Sequence, residues 1–148
     1  MFVTAPVVCL TTTIILQDWE GLKQGAFSGV TSLGTSLILK YSIKKERPDH
    51  SNMHSFPSAH TAVSFTAAAF LQRRYGWSWG IPAYALASYV GWSRTYGKKH
   101  DWWDVVAGAA IGAGSAYIFT RPFSDKYKLS ISPVATDKHV GIYASMIF

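Results

Sequence analysis

"SRTYGKKHDWWDVVAGAAIGAGSAY", residues 93–117, joins a dense charged cluster to an apolar run. Arg94, Lys98, Lys99, His100, Asp101 and Asp104 come first, and no charge follows from Val105 to Thr120. Small and apolar residues in unbroken succession predict a helix over 102–119. Gly108 and Gly112 stand four apart, a spacing that lets a second helix approach closely. The ionic residues therefore sit at the mouth of a helix whose body offers them no partner.

Working outward, the pattern recurs. Only 15% of the 148 residues are charged, 49% are hydrophobic, and six Trp, eight Tyr and eight Phe add aromatic surface. Uncharged stretches run from Gln24 to Leu39 and from Tyr75 to Ser93, and Ser55 to Gln72 is interrupted only by His60. Gly and Pro punctuation predicts helices near 4–16, 20–42, 58–74, 79–94 and 102–119. The expected fold class is all-α, an antiparallel bundle of about five helices. Membrane embedding is expected from the apolar stretches; their Ser, Thr, Gly and Ala content and a mean hydropathy of +0.11 keep a compact soluble bundle as the alternative. The first 17 residues carry no charge, and the absence of a basic leader weighs against a signal peptide. Beyond Arg121, "KYKLSISPVA" and "HVGIYASMIF" are rich in β-formers and predict two short strands. The expected division is a helical domain over 1–121 and a strand-like tail over 122–148. The single cysteine, Cys9, excludes an internal disulfide.

Short connections make successive helices antiparallel neighbours. The end of the second helix at Lys40, the start of the third near Ser58, the end of the fourth at Arg94 and the start of the fifth near Asp101 then share one end of the bundle. Lys40, Arg47, His60, Arg94, His100 and Asp104 are expected to converge there. Three cations are costly to gather unless an anion lies between them, and guanidinium forks suit phosphate oxygens. Ser58 is a candidate N-cap, and the amides of Ala59 and His60 at a helix start favour the same ligand. His100 and Asp104 are one turn apart, so the carboxylate can accept a hydrogen bond from one ring nitrogen and leave the other to attack phosphorus. His60 is then the candidate acid for the leaving group and, afterwards, the base for water. The two histidines are expected to begin in opposite protonation states.

Three spaced motifs carry a resemblance. "KYSIKKERP" (Lys40 to Pro48), "PSAH" (Pro57 to His60) and "SRTYGKKHDWWD" (Ser93 to Asp104) resemble, in order and spacing, the signature of the phosphatidic acid phosphatase type 2 superfamily, which includes bacterial acid phosphatases and vanadium haloperoxidases. The resemblance implies a phosphatase acting through a phosphohistidine on His100, with Asp104 as its partner, His60 as acid, and Lys40, Arg47, Ser58, the Ala59 amide and Arg94 on phosphate. It implies no metal or cofactor for phosphatase members. Ala59 replaces the glycine usual in the family, harmless if it opens a helix. Membrane members commonly have six helices; a partner, hence oligomerisation, is one way to replace the sixth.

The expected substrate is a phosphomonoester or diphosphate of a membrane lipid, with a small soluble phosphate ester as its nearest rival. A haloperoxidase or a non-catalytic membrane protein stands further off, and no nucleic-acid partner is expected. His50 and His54 invite a zinc site, against which the Pro48 and Asn/Ser-rich context speaks. Lys44, Lys45, Lys98 and Lys99 are read as attracting anionic substrate or headgroups, or as solvated. Trp102 and Trp103 are read either as interfacial anchors or as buried packing. Once the three phosphate ligands are set aside, the basic residues tilt the pocket outward, so a bacterial-type inner membrane with a periplasmic site is expected, with a soluble periplasmic protein as alternative.

Overall fold

The computed structural model describes residues 4–123, 128–136 and 139–147. It contains helices α1 (Thr4–Ile15), α2 (Trp19–Ser42), α3 (Ala59–Tyr75), α4 (Trp77–Tyr96) and α5 (Trp102–Phe119), then strands β1 (Lys128–Thr136) and β2 (His139–Ile147). The five-helix all-α bundle expected from the sequence is present. The strands form one antiparallel pair in which Lys128 faces Ile147 and Thr136 faces His139. Lys126, Tyr127 and residues 1–3 lie outside the described residues.

Helix starts follow local chemistry. Asp18 caps α2 by accepting from Gly21 N at 2.8 Å, Ser58 caps α3, and Asp101 with Asp104 forms a reciprocal capping box on α5. The fourth helix begins two residues earlier than predicted because Gly76 closes α3 and opens α4 at once. Its φ of 92° is a conformation that a residue without Cβ adopts cheaply.

The central helix is α3, which packs against all four others and most extensively against α5 and α4. Its alanines 62, 67, 68 and 69, with Phe70 and Leu71, form most of the buried apolar core. The close approach predicted for Gly108 and Gly112 is real: a Cβ on either would collide with α3 backbone, Ser58 O at 2.5 Å and Ala62 O at 2.1 Å respectively. Dense alanine–glycine contact lets the short side chains do the packing, so backbone sits against backbone.

Polarity runs partly inside out. Ser28, Ser32 and Ser36 of α2 are fully buried, while Phe27, Val30 and Ile38 of the same helix are exposed. Among the described residues no helix is long and apolar enough to cross a membrane. The inward serines and glycines dilute each helix's hydropathy although the outward face is apolar.

Candidate active site

Each helix end delivers one part of the site. Lys40 lies in the last turn of α2. The irregular chain that follows turns at Arg47, whose N–H donates to Asn52 O at 3.0 Å and whose carbonyl accepts from His50 N at 2.8 Å. It is then stitched to α5, with Ser58 N donating to Asp104 O at 3.0 Å. Ala59 is the first residue of α3 and does not have a positive φ, so replacement of a glycine there carries no backbone strain. Across the bundle end, the Arg94 carbonyl accepts from Lys99 N at 3.1 Å and His100 N at 3.3 Å. These two hydrogen bonds to one carbonyl fold the connection back and bring His100 in front of α5.

His100 is 3% exposed and Asp104 is fully buried. Their Nδ1 and Oδ2 atoms are 3.4 Å apart, close enough for strong electrostatic coupling but not aligned as a hydrogen bond. Burial lowers the His100 pKa, Lys40 and Arg47 lower it further, and Asp104 opposes them. Burial also lowers His60, to about 4, with Arg94, His100, Lys40 and Arg47 all contributing. Lys40 is likewise lowered by burial and by Arg47. These mutual influences place Lys40, Arg47, His60, Arg94, His100 and Asp104 within one field, as the topology predicted. Burial first, and then the surrounding cations, push both imidazoles toward the neutral form.

Among the described residues, the buried Nε atoms of Arg47 and Arg94 have no hydrogen-bond partner. Ser58 Oγ accepts from Thr61 N at 3.4 Å and from Thr61 Oγ1 at 3.0 Å, so its own proton is the one left to donate. Guanidinium, hydroxyl and helix-start amides together make a surface that suits a tetrahedral oxyanion.

Lys45 is not the solvated or headgroup cation the sequence suggested. Its ammonium binds both Asp101 and Asp104. Lys99 pairs with Asp49 at 2.5 Å. Ser55, fully buried and bonded to Asp104, was missed altogether, and nothing in its sequence context points to that contact. Asp101 was missed as a cap, although Asp101 and Asp104 have the spacing of a capping box before an apolar run. His50 binds Glu46 at 2.8 Å while His54 lies edge-on to Tyr41, so the two imidazoles are engaged by different partners. Trp102 and Trp103 are both exposed, which decides against buried packing.

Known proteins similar to this chain include lipid phosphatases. The lipid A 4'-phosphatase of Helicobacter pylori is 27% identical over 143 residues, covering 89% of this chain and 72% of that protein. The lipid A 1-phosphatase of Porphyromonas gingivalis is 36% identical over 140 residues, covering 86% of this chain but only 29% of that protein. Phospholipid phosphatase 2 of Bos taurus is 34% identical over 88 residues, half of this chain and 30% of that protein. No solved structure matches. The PAP2 superfamily sequence profile matches residues 22–128, a span that holds every residue of the cationic cluster and its two histidines, and the chain belongs to that superfamily.

Proposed function

We propose that the chain is a phosphoric ester hydrolase that removes phosphate from a membrane lipid through a phosphohistidine. The carrying observation is the gathering of Lys40, Arg47, Arg94, His60 and His100 at one end of the bundle, where the buried Nε atoms of both arginines have no hydrogen-bond partner among the described residues. Nδ1 of His100 faces Asp104, which leaves Nε2 to attack phosphorus. As the N–P bond forms, the ester P–O bond breaks and the departing alkoxide takes a proton from His60. Water then attacks phosphorus and gives His60 a proton, the N–P bond breaks, and orthophosphate leaves. Lys40, Arg47 and Arg94 neutralise the charge that builds on the equatorial oxygens of both transition states.

Support for a lipid comes from the relatives' substrates and from shape. An apolar groove of about 160 Å³ lies between α1, α2 and α3. On its α3 wall, Thr66 stands beside Val63, Ala67 and Phe70, which lie on the helical stripe that carries His60 and start one turn from that residue. Exposed aromatics also gather at both bundle ends: Trp19, Trp77 and Trp79 at one, Trp92, Tyr96, Trp102 and Trp103 at the other. Such paired sets suit the two interfaces of a bilayer, with the site residues level with the second set and facing the exterior of the cell.

The test is phosphate release by the purified full chain from phosphatidate, lipid A and soluble monoesters, with and without EDTA, beside His100→Ala and Asp104→Asn. Hydrolysis of long-chain lipid phosphates is expected, abolished by His100→Ala and reduced by at least about 10²-fold in Asp104→Asn. Normal turnover by His100→Ala would reject the nucleophile, and exclusive use of soluble esters would reject the lipid.

A further inference from the structure

Asp104 is gripped at both oxygens. Oδ1 accepts from Lys45 Nζ at 2.8 Å; Oδ2 accepts from Ser55 Oγ and from Asp101 N at 3.2 Å, and faces His100 Nδ1 at 3.4 Å. Lys45 and Ser55 come from the same loop, held together by Ser55 N donating to Lys45 O at 2.9 Å. Asp104 is fully buried, whereas the Lys45 side chain retains 33% exposure. A carboxylate bonded this way cannot rotate. Its negative charge is also partly cancelled on the side away from the imidazole, so it draws a proton onto His100 less strongly than a lone carboxylate would.

We propose that Lys45 and Ser55 are positioning residues, which lock the Asp104 carboxylate beside His100 and keep that imidazole unprotonated. The catalytic meaning rests on His100 being the nucleophile; the electrostatic part does not. The charged groups around His100 are Lys40 on α2, Arg47 and Lys45 on the loop, His60 on α3, Arg94 at the end of α4, and Asp101 and Asp104 on α5. Lys40 and Arg47 push the His100 pKa down and Asp104 pushes it up. Lys45 acts on the last of these. Removing its charge strengthens the one influence that favours imidazolium, so the His100 pKa rises. Ser55→Ala keeps the charge but frees one oxygen, so its effect falls on orientation and appears in kcat.

The experiment is an NMR titration of ring-labelled histidine in the purified full chain, with His100 assigned by comparison with His100→Asn. Lys45→Met is expected to raise the His100 pKa by about half a unit or more, and Lys45→Arg to restore it. Lys44→Met, which removes a neighbouring exposed charge, is expected to leave the titration where it was. Where a phosphate ester is turned over, the acid limb of kcat/KM moves to higher pH by the same amount in Lys45→Met. Ser55→Ala loses about tenfold in kcat with KM unchanged. Lys45→Gln serves in the titration should Lys45→Met not fold. An unshifted His100 in the charge-removing variant overturns the proposal whatever the assay shows. A shifted His100 in a protein that cleaves no phosphate ester overturns the phosphatase reading and leaves this one standing.

Discussion

Arg94 lies close enough to His60 for its charge to act with burial in holding that imidazole in its neutral form. A tetrahedral anion between them would cancel much of that field and let His60 protonate, which is the state a proton donor requires.

Anion binding should therefore take up a proton. His60 titrates near 4 without the anion and higher with it, so affinity rises as pH falls through the bound-state pKa and levels off near 4. The limiting slope for one linked proton is about tenfold per pH unit. Sulfate is a suitable probe because its own charge is constant over this range. Calorimetry at pH 6 in buffers of different ionisation heat reads the uptake directly, and His60→Gln should reduce it to the share taken by His100, which Lys40 and Arg47 also push down. Equal heats in all buffers for the unsubstituted protein would show that the cations do not control His60.

The α3–α5 contact should tolerate no added carbon. At Gly112 a Cβ would lie 2.1 Å from Ala62 O and 2.9 Å from Thr66 N, both backbone atoms of a helix that cannot yield without breaking its own packing. Gly112→Ala is expected to cost about 2 kcal/mol or more, above the helix-propensity gain that Ala brings. Gly114→Ala meets nothing within 4 Å and should be neutral or slightly stabilising. Thermal melts of the two variants make the comparison.

Much of this organisation was legible because it depends on spacing along the chain. Helix ends announce themselves through Gly76, Pro57 and the capping side chains, and antiparallel connection then forces Lys40, Ser58, Arg94 and His100 to one end. What stayed hidden depends on contacts between loops. Lys44 and Lys45 are adjacent and chemically identical in the sequence, yet one is solvated and the other bridges Asp101 and Asp104, a difference made by the path of the loop from Ile43 to Ser58. The downward push on both imidazoles was hidden for the same reason, since it comes from burial and from cations far apart in the chain.

The groove can be closed without touching the cationic end. Gly29 lines it, and a Cβ there meets nothing within 4 Å. Gly29→Leu should fold normally and fill the space that an acyl chain would occupy. The expected result is a fall of about tenfold in kcat/KM for a long-chain lipid phosphate, with a short soluble ester unaffected. An equal loss on both substrates, or none on either, would separate the groove from substrate binding.

At the far end, Asp18 and Arg74 make the costliest single deletion. Their side chains are 3% and 6% exposed. Asp18 accepts from Arg74 Nε at 2.7 Å and Tyr75 Oη at 2.8 Å, and it also caps α2. Arg74 in turn donates to Arg121 O at 2.9 Å, fixing the chain as it leaves α5. Asp18→Ala strands a buried guanidinium and removes a helix cap, so a loss of about 3–5 kcal/mol is expected. Asp18→Leu combined with Arg74→Met removes both charges and should be less damaging than Asp18→Ala alone, because no unpaired charge is left in the interior. Denaturant melts of the single and double variants test the order, and a double variant weaker than the single would show that Arg74's bonds to the chain beyond α5 outweigh the stranded charge.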